Sequence, residues 1–259
     1  MEIIQFLLNN SSTFLFVFVR TTAIILAAPI FGAFNVPMHI KMGLSFLVAL
    51  VLTPLIPSVP MPVSAIALIL GVAGEILLGV AMGLLVRFIF TGVEFAGQIA
   101  SFQMGLGMAN VYDPIHGAQV TVIGRLMSLL TLLLFLSVNG HLMVIMALKK
   151  SFESIPSYGF RLNGALMEQI VLYSKEMFVL AVKLSAPVVA ILIFVNIALG
   201  VIARTVPQLN MFVIGFGITI AAGLIMIMIS MPLFESSMLR IFDVMWEGIF
   251  VFMRQANHG

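Results

Sequence analysis

The stretch GVIARTVPQLNMFVIGFGITI, residues 200–220, interrupts what would otherwise be one continuous apolar run. Pro207 lacks the amide hydrogen that a helix interior requires, and it disfavours a helical conformation at the residue before it. Thr205 and Gln208 have the spacing of a capping box, in which two side chains cap the start of a helix. The stretch therefore predicts two apolar helices joined by a capped turn, with Pro207 in the first turn of the second helix.

The composition on either side of this turn is that of a membrane protein. Hydrophobic residues make up 62% of the 259 residues and charged residues only 8%, whereas about 25% of the residues of an ordinary soluble domain are charged. The chain has no cysteine, which excludes disulfides and thiolate metal sites. Its net charge of +2 comes from scattered basic residues, so no nucleic-acid surface is predicted.

Six apolar segments predict an all-α membrane protein with about six hydrophobic helical segments. They cover residues 12–34, 42–56, 61–105, 120–148, 166–203 and 211–234. Each is near or above the roughly 17 to 25 residues that cross a bilayer, except the second. The third is too long for one crossing, because a helix of that length extends about 67 Å, whereas the hydrocarbon core is about 30 Å thick. We expect this segment to bend, break or leave the membrane.

Several charged side chains fall inside or at the rim of these apolar segments. They are Arg20, Glu75, Arg87, Glu94, Arg125, Lys183 and Arg204. A charge at the bilayer centre costs at least about 2.5 to 3.5 kcal/mol, so such residues usually face protein or water. For Glu75, Arg87 and Glu94 we predict a packed or water-lined interior, with local charge compensation as the alternative. For Glu176 and Lys183, which lie two turns apart on one helix face, compensation is the preferred interpretation.

The stretch GEILLGVAMGLL contains two glycines at the spacing that lets helix backbones approach closely. These are Gly79 and Gly83, and Gly71 lies two turns before Gly79 on much the same side. We predict a helix-packing surface here and no binding site.

Reactive side chains are too few and too scattered to indicate an enzyme. The sequence has no HExxH or GxSxG motif, and its four histidines lack metal-ligand spacing. No catalytic residue, cofactor or metal site is predicted. An autonomous ion-coupled transporter remains an alternative, because Glu75 or Glu94 could titrate near the middle of the membrane.

The C-terminal stretch, residues 235–259, predicts an amphipathic helix that docks against partner helices or lies in the membrane interface. Its polar side chains fall in one narrow stripe, and the rest of its surface is bulky and apolar. The stripe comprises Ser236, Arg240, Asp243, Glu247 and Arg254.

The stretch ARTVPQLNMFVIGF resembles the signature of the FliR family of flagellar type III secretion export-gate subunits. The matching motif residues are Arg204, Thr205, Pro207, Gln208, Asn210 and Phe212. Further support comes from APIFG, VPMHIKMGLSFLVALVLTPLIP, GEILLGVAMGLL and EFAGQIASFQMGLGMANVYDP. Gly217 departs from the pattern, since many relatives have proline after VIGF. Injectisome homologues share a PQLN-like core, so an injectisome export-gate subunit is an alternative.

The resemblance implies a subunit that packs with FliP, FliQ and FlhB-like proteins in a hetero-oligomeric, cone-like assembly. It implies a FliP-like portion, residues 1–165, a FliQ-like helical hairpin, residues 166–234, and the C-terminal helix described above. The implied cellular location is the bacterial inner membrane at the flagellar basal body. The implied function is that of a passive conduit for unfolded flagellar proteins, with no chemistry of its own.

The resemblance also implies that the loop of residues 105–119 projects into a central pore and plugs it. The implied plug residues are Met104, Gly105, Gly107, Met108, Asn110, Tyr112, Asp113, Pro114 and Gly117. Glycines and an Asp-Pro step favour a compact loop that can rearrange, and methionines fill irregular gaps. The residues alone predict only an ordinary connection between two helices.

Overall fold

A computed structural model describes residues 10–29, 36–62, 64–107, 121–160, 163–206, 208 and 210–257. These residues are helical and contain no strand, as the sequence predicts. The helices are α1 (Ser11–Ala27), α2 (Met38–Leu52), α3 (Ala65–Gln103), α4 (Val122–Ser137), α5 (Gly140–Ser154), α6 (Gly164–Thr205) and α7 (Met211–Asn257), with a 3₁₀ turn at Thr53–Leu55.

The long third segment forms one unbroken helix. α3 contains 39 residues, which corresponds to a length of about 58 Å. Even at the steepest tilts seen for membrane helices, about 40°, this length exceeds the roughly 30 Å of the hydrocarbon core. Of the three expected solutions, breaking is wrong, because α3 is one continuous helix. If α3 crosses a bilayer, its length leaves part of it outside the hydrocarbon core.

The sequence predicts one helix for the fourth apolar segment, but the structure has two. α4 and α5 meet at an angle of 67°. Between them Asn139 adopts a left-handed conformation, with φ 57° and ψ 29°. Asparagine visits this region more readily than most residues, and a residue in it cannot continue a right-handed helix. A single polar residue beside a glycine thus redirects the chain.

The last two apolar segments form the two longest helices. α6 has 42 residues and α7 has 47, and each contains an internal proline, Pro187 and Pro232. α7 runs without interruption through Phe234, so the predicted end of the last apolar segment is not a helix end. Residues 235–257 are the C-terminal half of α7. A proline inside a helix is tolerated in membrane proteins because neighbouring groups satisfy the freed carbonyl.

Fewer helices are long and apolar enough to cross a membrane than the six predicted apolar segments. Four described helices are long and apolar enough to span a bilayer: α3, α6, α7, and α2 with the 3₁₀ turn that follows it. The bent pair α4 and α5 makes a fifth if it counts as one span. α1 is apolar but shorter. Six crossings are therefore not confirmed.

The chain divides into two compact units. One comprises Met1–Phe88, Leu136–Tyr173 and Phe242–Gly259, and the other comprises Ile89–Phe135 and Ser174–Ile241. The long helices α3, α6 and α7 each contribute to both units. The division at residue 165, which the resemblance implies, stays a prediction.

In the first unit α1 packs closely on α3 through the two glycines of GEILLGVAMGLL. A Cβ atom added to Gly79 would lie 2.6 Å from the Cβ of Ala23 and 2.8 Å from the carbonyl oxygen of Arg20. Gly83 lies in the same way against Ala27. Only glycine permits this spacing between the two backbones.

In the second unit the C-terminal part of α3 packs against α4 and α6. Gly97 meets Gly124 backbone to backbone, and a Cβ added to Gly97 would lie 2.7 Å from the Gly124 nitrogen. The rings of Phe95 and Phe178 stack with their centroids 5.9 Å apart. Aromatic and glycine contacts alternate along this part of α3.

Candidate functional site

Two opposite charges are paired in the interior of the first unit. Arg20 on α1 is 0% exposed and Glu75 on α3 is 3% exposed. The Arg20 Nε donates to the Glu75 Oε2, and its Nη2 donates to the Glu75 Oε1 at 3.0 Å. This two-pronged geometry is the strongest arrangement of a guanidinium and a carboxylate. The pair fixes α1 and α3 in one register.

The remaining donors of the Arg20 guanidinium are directed to the end of α5. Nη1 donates to the Ser151 hydroxyl at 3.0 Å, and Nη2 donates to the Ile155 carbonyl at 3.1 Å. The guanidinium carbon lies 3.7 Å from the centre of the Phe152 ring, which is the geometry of a cation–π contact. One charged side chain thus connects three helices.

The other two charges predicted to face the interior lie elsewhere. Arg87 is exposed, and Glu94 is half-buried. Arg87 and Glu94 form no ion pair with each other in the part of the chain that the structure describes. Of the three predicted residues, Glu75 alone is buried in the single chain.

A tyrosine in the connection after α5 covers one edge of this unit. The Tyr158 backbone is left-handed, with φ 71°. Its ring lies edge-on to Phe16, with centroids 4.8 Å apart, and covers Gly71. Desolvation, and secondarily the negative charge of Glu75, raises the pKa of Tyr158 above its ordinary value. The phenol is therefore neutral near pH 7.

The start of the predicted plug loop is built into the second unit as a helix cap. At the end of α3, Leu106 donates its amide hydrogen to the Ser101 carbonyl at 3.0 Å, and Gly105 donates to the Phe102 carbonyl at 3.0 Å. Gly105 is left-handed, with φ 86°. These two bonds around a left-handed glycine form a Schellman motif. The direction in which the loop leaves α3 is therefore set by Gly105.

Met104, beside this cap, is anchored against α7. Its side chain is 0% exposed and occupies the space where a Cβ of Gly223 would lie. Its carbonyl accepts a 3.2 Å hydrogen bond from the Thr219 hydroxyl. A Cβ on Gly105 would lie 3.2 Å from the Phe216 ring. Met104 is thus a packing residue at the base of the loop.

The rest of the predicted plug lies outside the described residues. This holds for Met108, Asn110, Tyr112, Asp113, Pro114 and Gly117. Gly107 is described, and it lies against the ring of Phe102. The role of the loop therefore stays a prediction.

The turn between α6 and α7 is capped differently from the sequence prediction. The Thr205 hydroxyl donates back to the Ile202 carbonyl at 3.0 Å, so Thr205 ends α6 and does not cap α7. Asn210 precedes α7, and its Oδ1 accepts a 3.4 Å hydrogen bond from the Val213 amide. The capping-box interpretation is wrong because α7 begins at Met211, four residues beyond Pro207. Asn210 has a structural role as a helix cap.

The other motif residues of this turn are exposed or lie outside the residues that the structure describes. Arg204 and Gln208 are exposed. Pro207 and the side chain of Phe212 lie outside the described residues. Within the described part of the chain, no three His, Cys, Asp or Glu side chains are grouped closely enough to share a metal ion.

The sequence does not predict Arg20 as the partner of Glu75. One signal could have identified it: Arg20 is the only charged residue in α1, and Glu75 is the first charged residue of α3. Two opposite charges, each isolated in an apolar helix, favour pairing because each alone is costly to bury. The contacts of Ser151 and Phe152 had no comparable signal in the sequence.

Comparison with known proteins identifies the family. A family model described as bacterial export proteins, family 1, matches residues 11–245. Flagellar biosynthetic protein FliR of Escherichia coli (strain K12) is 37% identical over 83% of this chain and 82% of its own length. The chain belongs to the FliR family of bacterial export proteins. The match to the FliR family model includes α1 to α6 and all but the last part of α7.

Two further FliR proteins show how widely this similarity extends. Flagellar biosynthetic protein FliR of Bacillus subtilis (strain 168) is 37% identical over 84% of this chain and 85% of its own length. That of Aquifex aeolicus (strain VF5) is 28% identical over 87% of this chain and 88% of its own length. The similarity to FliR therefore covers most of both chains in each comparison.

Proposed function

We propose that this chain is a core subunit of the flagellar type III export gate in the bacterial inner membrane. It forms and plugs the channel through which unfolded flagellar proteins cross. Membership of the FliR family supports a role in export, and the helices are long and apolar enough for a membrane component of the flagellum. The flagellar assignment is preferred to an injectisome because the relatives described above are named flagellar biosynthetic proteins.

The observation that carries this proposal is the uncovered apolar surface of α6. The helix is about 63 Å long, twice the thickness of the hydrocarbon core. Of its most apolar 18-residue window, only 11% is buried within the chain. Exposed apolar patches of this size mark contact with other proteins or lipid. Lipid can cover only about half of the helix length, so exposed apolar residues of the other half, such as Val171 and Val182, are available to partner helices.

Partner subunits provide that cover in our proposal. FliP, FliQ and FlhB-like subunits pack around this chain in a cone-like assembly, partly outside the bilayer. The lengths of α3 and α7 support this arrangement, since both also exceed one membrane crossing. In such an assembly these helices are surrounded largely by other protein subunits.

The proposed plug is the loop of residues 105–119. Its base is firmly placed, because Met104 is buried and Gly105 belongs to the Schellman motif. A closed export channel must exclude ions and later admit an unfolded chain. A fixed base with a glycine- and methionine-containing loop suits reversible sealing.

The geometry of Glu75 argues against an ion-coupled transporter in which Glu75 is the titrating carboxylate, and Glu94 stays the other candidate for that alternative. Both of its carboxylate oxygens are bonded to Arg20, and the pair is buried. A carboxylate that carries protons through a transport cycle needs a way to release its partner and reach water. Glu75 therefore acts as a structural charge in this proposal, and export energy comes from other components of the apparatus.

Complementation of secretion tests this proposed function. Cells that lack their own FliR would receive the intact chain together with its presumed FliP and FliQ partners. The proposal predicts that the subunits co-purify and that hook and filament proteins appear in the medium. A matched chain in which polar residues replace the exposed apolar residues Val171 and Val182 of α6 should assemble poorly. The proposal fails if the intact chain enters the membrane but does not co-purify with the other subunits.

A further inference from the structure

We propose that the hairpin of α6 and α7 binds the headgroup of an anionic phospholipid at one membrane interface. A pocket of about 330 Å³ lies between the two helices in the second unit. Its polar lining consists of Lys183, Ser230, Ser237 and Arg240, and Pro187 and Phe234 are among the apolar side chains of its walls. The volume is in the range of small-ligand sites.

The position of the pocket along the hairpin places it at headgroup depth. Residues 184–203 of α6 and 211–234 of α7 carry no charged side chain. These stretches are about 30 Å and 36 Å long, which matches the hydrocarbon core. The connection between the helices lies at one end of both stretches. Lys183 and Arg240 therefore lie at the other end, where lipid phosphates are found.

Both cations of the pocket lack a protein counter-charge. In the part of the chain described, no carboxylate lies within 4.0 Å of Lys183 or Arg240. Glu176, Glu235 and Asp243 are on the same two helices, but none of them forms an ion pair with Lys183 or Arg240. The predicted compensation of Lys183 by Glu176 is therefore not formed. Two uncompensated cations at one interface attract an anion.

The uncharged groups of the pocket favour a phospholipid as the source of that anion. The Ser237 hydroxyl is half-buried and has no hydrogen-bond partner among the described residues, so it can donate to a phosphate oxygen. The apolar walls suit the upper part of an acyl chain. Basic pockets between membrane helices are a recognised type of phospholipid site, whereas a soluble anion gains nothing from the walls.

The inference depends on insertion of the hairpin in a membrane and not on the export function. The test therefore uses the chain with its co-purifying partners where these are found, and the chain alone otherwise. Failure to export leaves the lipid measurement unaffected. Failure to bind lipid leaves the proposed export role unaffected.

Lipid retention by matched variants tests the proposal. The intact protein and the double variant Lys183→Gln, Arg240→Gln are placed in nanodiscs of phosphatidylcholine mixed equally with phosphatidylglycerol, then washed in neutral detergent. Retained lipid is measured by native mass spectrometry. The control is Lys175→Gln, Arg254→Gln, which removes two exposed cations from the same helices outside the pocket.

We expect the intact protein and the control to retain phosphatidylglycerol in preference to phosphatidylcholine. The pocket variant should bind phosphatidylglycerol about 30-fold more weakly, since each cation near an anionic lipid contributes about a fivefold factor. The charge-conserving variant Lys183→Arg, Arg240→Lys should keep the preference. Equal retention by intact protein, control and pocket variant overturns the proposal.

Two further outcomes decide the identity of the anion, and a third covers a pocket variant that does not fold. Competition by inorganic phosphate as effective as by phosphatidylglycerol shows a soluble-anion site and overturns the lipid assignment. Loss of a partner subunit from the pocket variant alone, in pure phosphatidylcholine, shows that a partner carboxylate occupies the pocket and also overturns it. If the pocket variant does not fold, the lipid preference of the intact protein decides the question. Absence of any preference for phosphatidylglycerol then contradicts the proposal.

Discussion

The first unit contains a buried ion pair, Arg20 with Glu75. Removing one member leaves the other charge buried without a partner, which costs about 3 to 5 kcal/mol in buried pairs. We therefore expect Glu75→Ala and Arg20→Met to lower the thermal unfolding midpoint of the purified protein in detergent. The double variant Arg20→Met, Glu75→Leu should be less damaging than either single change. Single variants that unfold like the intact protein would contradict this account.

Gly105 controls the end of α3 through its left-handed backbone. A residue with a Cβ costs roughly 1 to 2 kcal/mol in this conformation, and the Phe216 ring lies close to the added atom. We expect Gly105→Ala to increase hydrogen exchange at the Leu106 amide, and Gly105→Asn to have a smaller effect because asparagine tolerates this region. Gly43→Ala is the control, since nothing lies within 4 Å of that position. Unchanged exchange in Gly105→Ala would be inconsistent with the cap.

The packing of α1 on α3 is the element-scale feature that is easiest to perturb. Gly79→Leu places a large side chain where Ala23 and the α1 backbone already lie, and overpacking typically costs about 1 to 3 kcal/mol. We expect this variant to lose thermal stability. Gly200→Leu, on α6 with nothing within 4 Å, should not lose stability in the purified chain. An equal response of the two variants would show that the close approach is unimportant.

Helix ends can be predicted from the sequence where a local sequence signal is strong. The end of α6 and the start of α7 lie on either side of Pro207, whose ring and missing amide hydrogen act on neighbouring residues. The break at Asn139 was missed because one polar residue within an apolar block is a weak signal. The cap at Asn210 was missed because Thr205 matched a pattern that its hydroxyl does not form.

Contacts between distant residues could not be predicted to the same extent. Arg20 and Glu75 are 55 positions apart, and no helical periodicity relates two residues on different helices. Arg87 was expected in an interior but is exposed, because spacing identifies a face of a helix and not what covers it. At Gly105 the sequence predicts only the conformational freedom of a glycine, and it does not predict the Schellman motif.

At the scale of the whole molecule, the chain is a set of long apolar helices that a single bilayer cannot cover. α3, α6 and α7 contain 39, 42 and 47 residues, and the most apolar windows of α6 and α7 are only 11% and 22% buried. We propose that partner subunits of the export gate cover this surface. We propose that the chain seals an assembled channel with the loop of residues 105–119.

Ion leakage through the assembled gate tests that claim most directly. Membrane conductance is compared in cells that express the intact chain with its partners, a deletion of residues 110–119, and a variant in which a Gly-Ser segment of equal length replaces them. Co-purification first establishes that all three assemble. The account predicts leakage in both altered chains and none in the intact chain. Assembled deletion variants that remain as tight as the intact chain would contradict it.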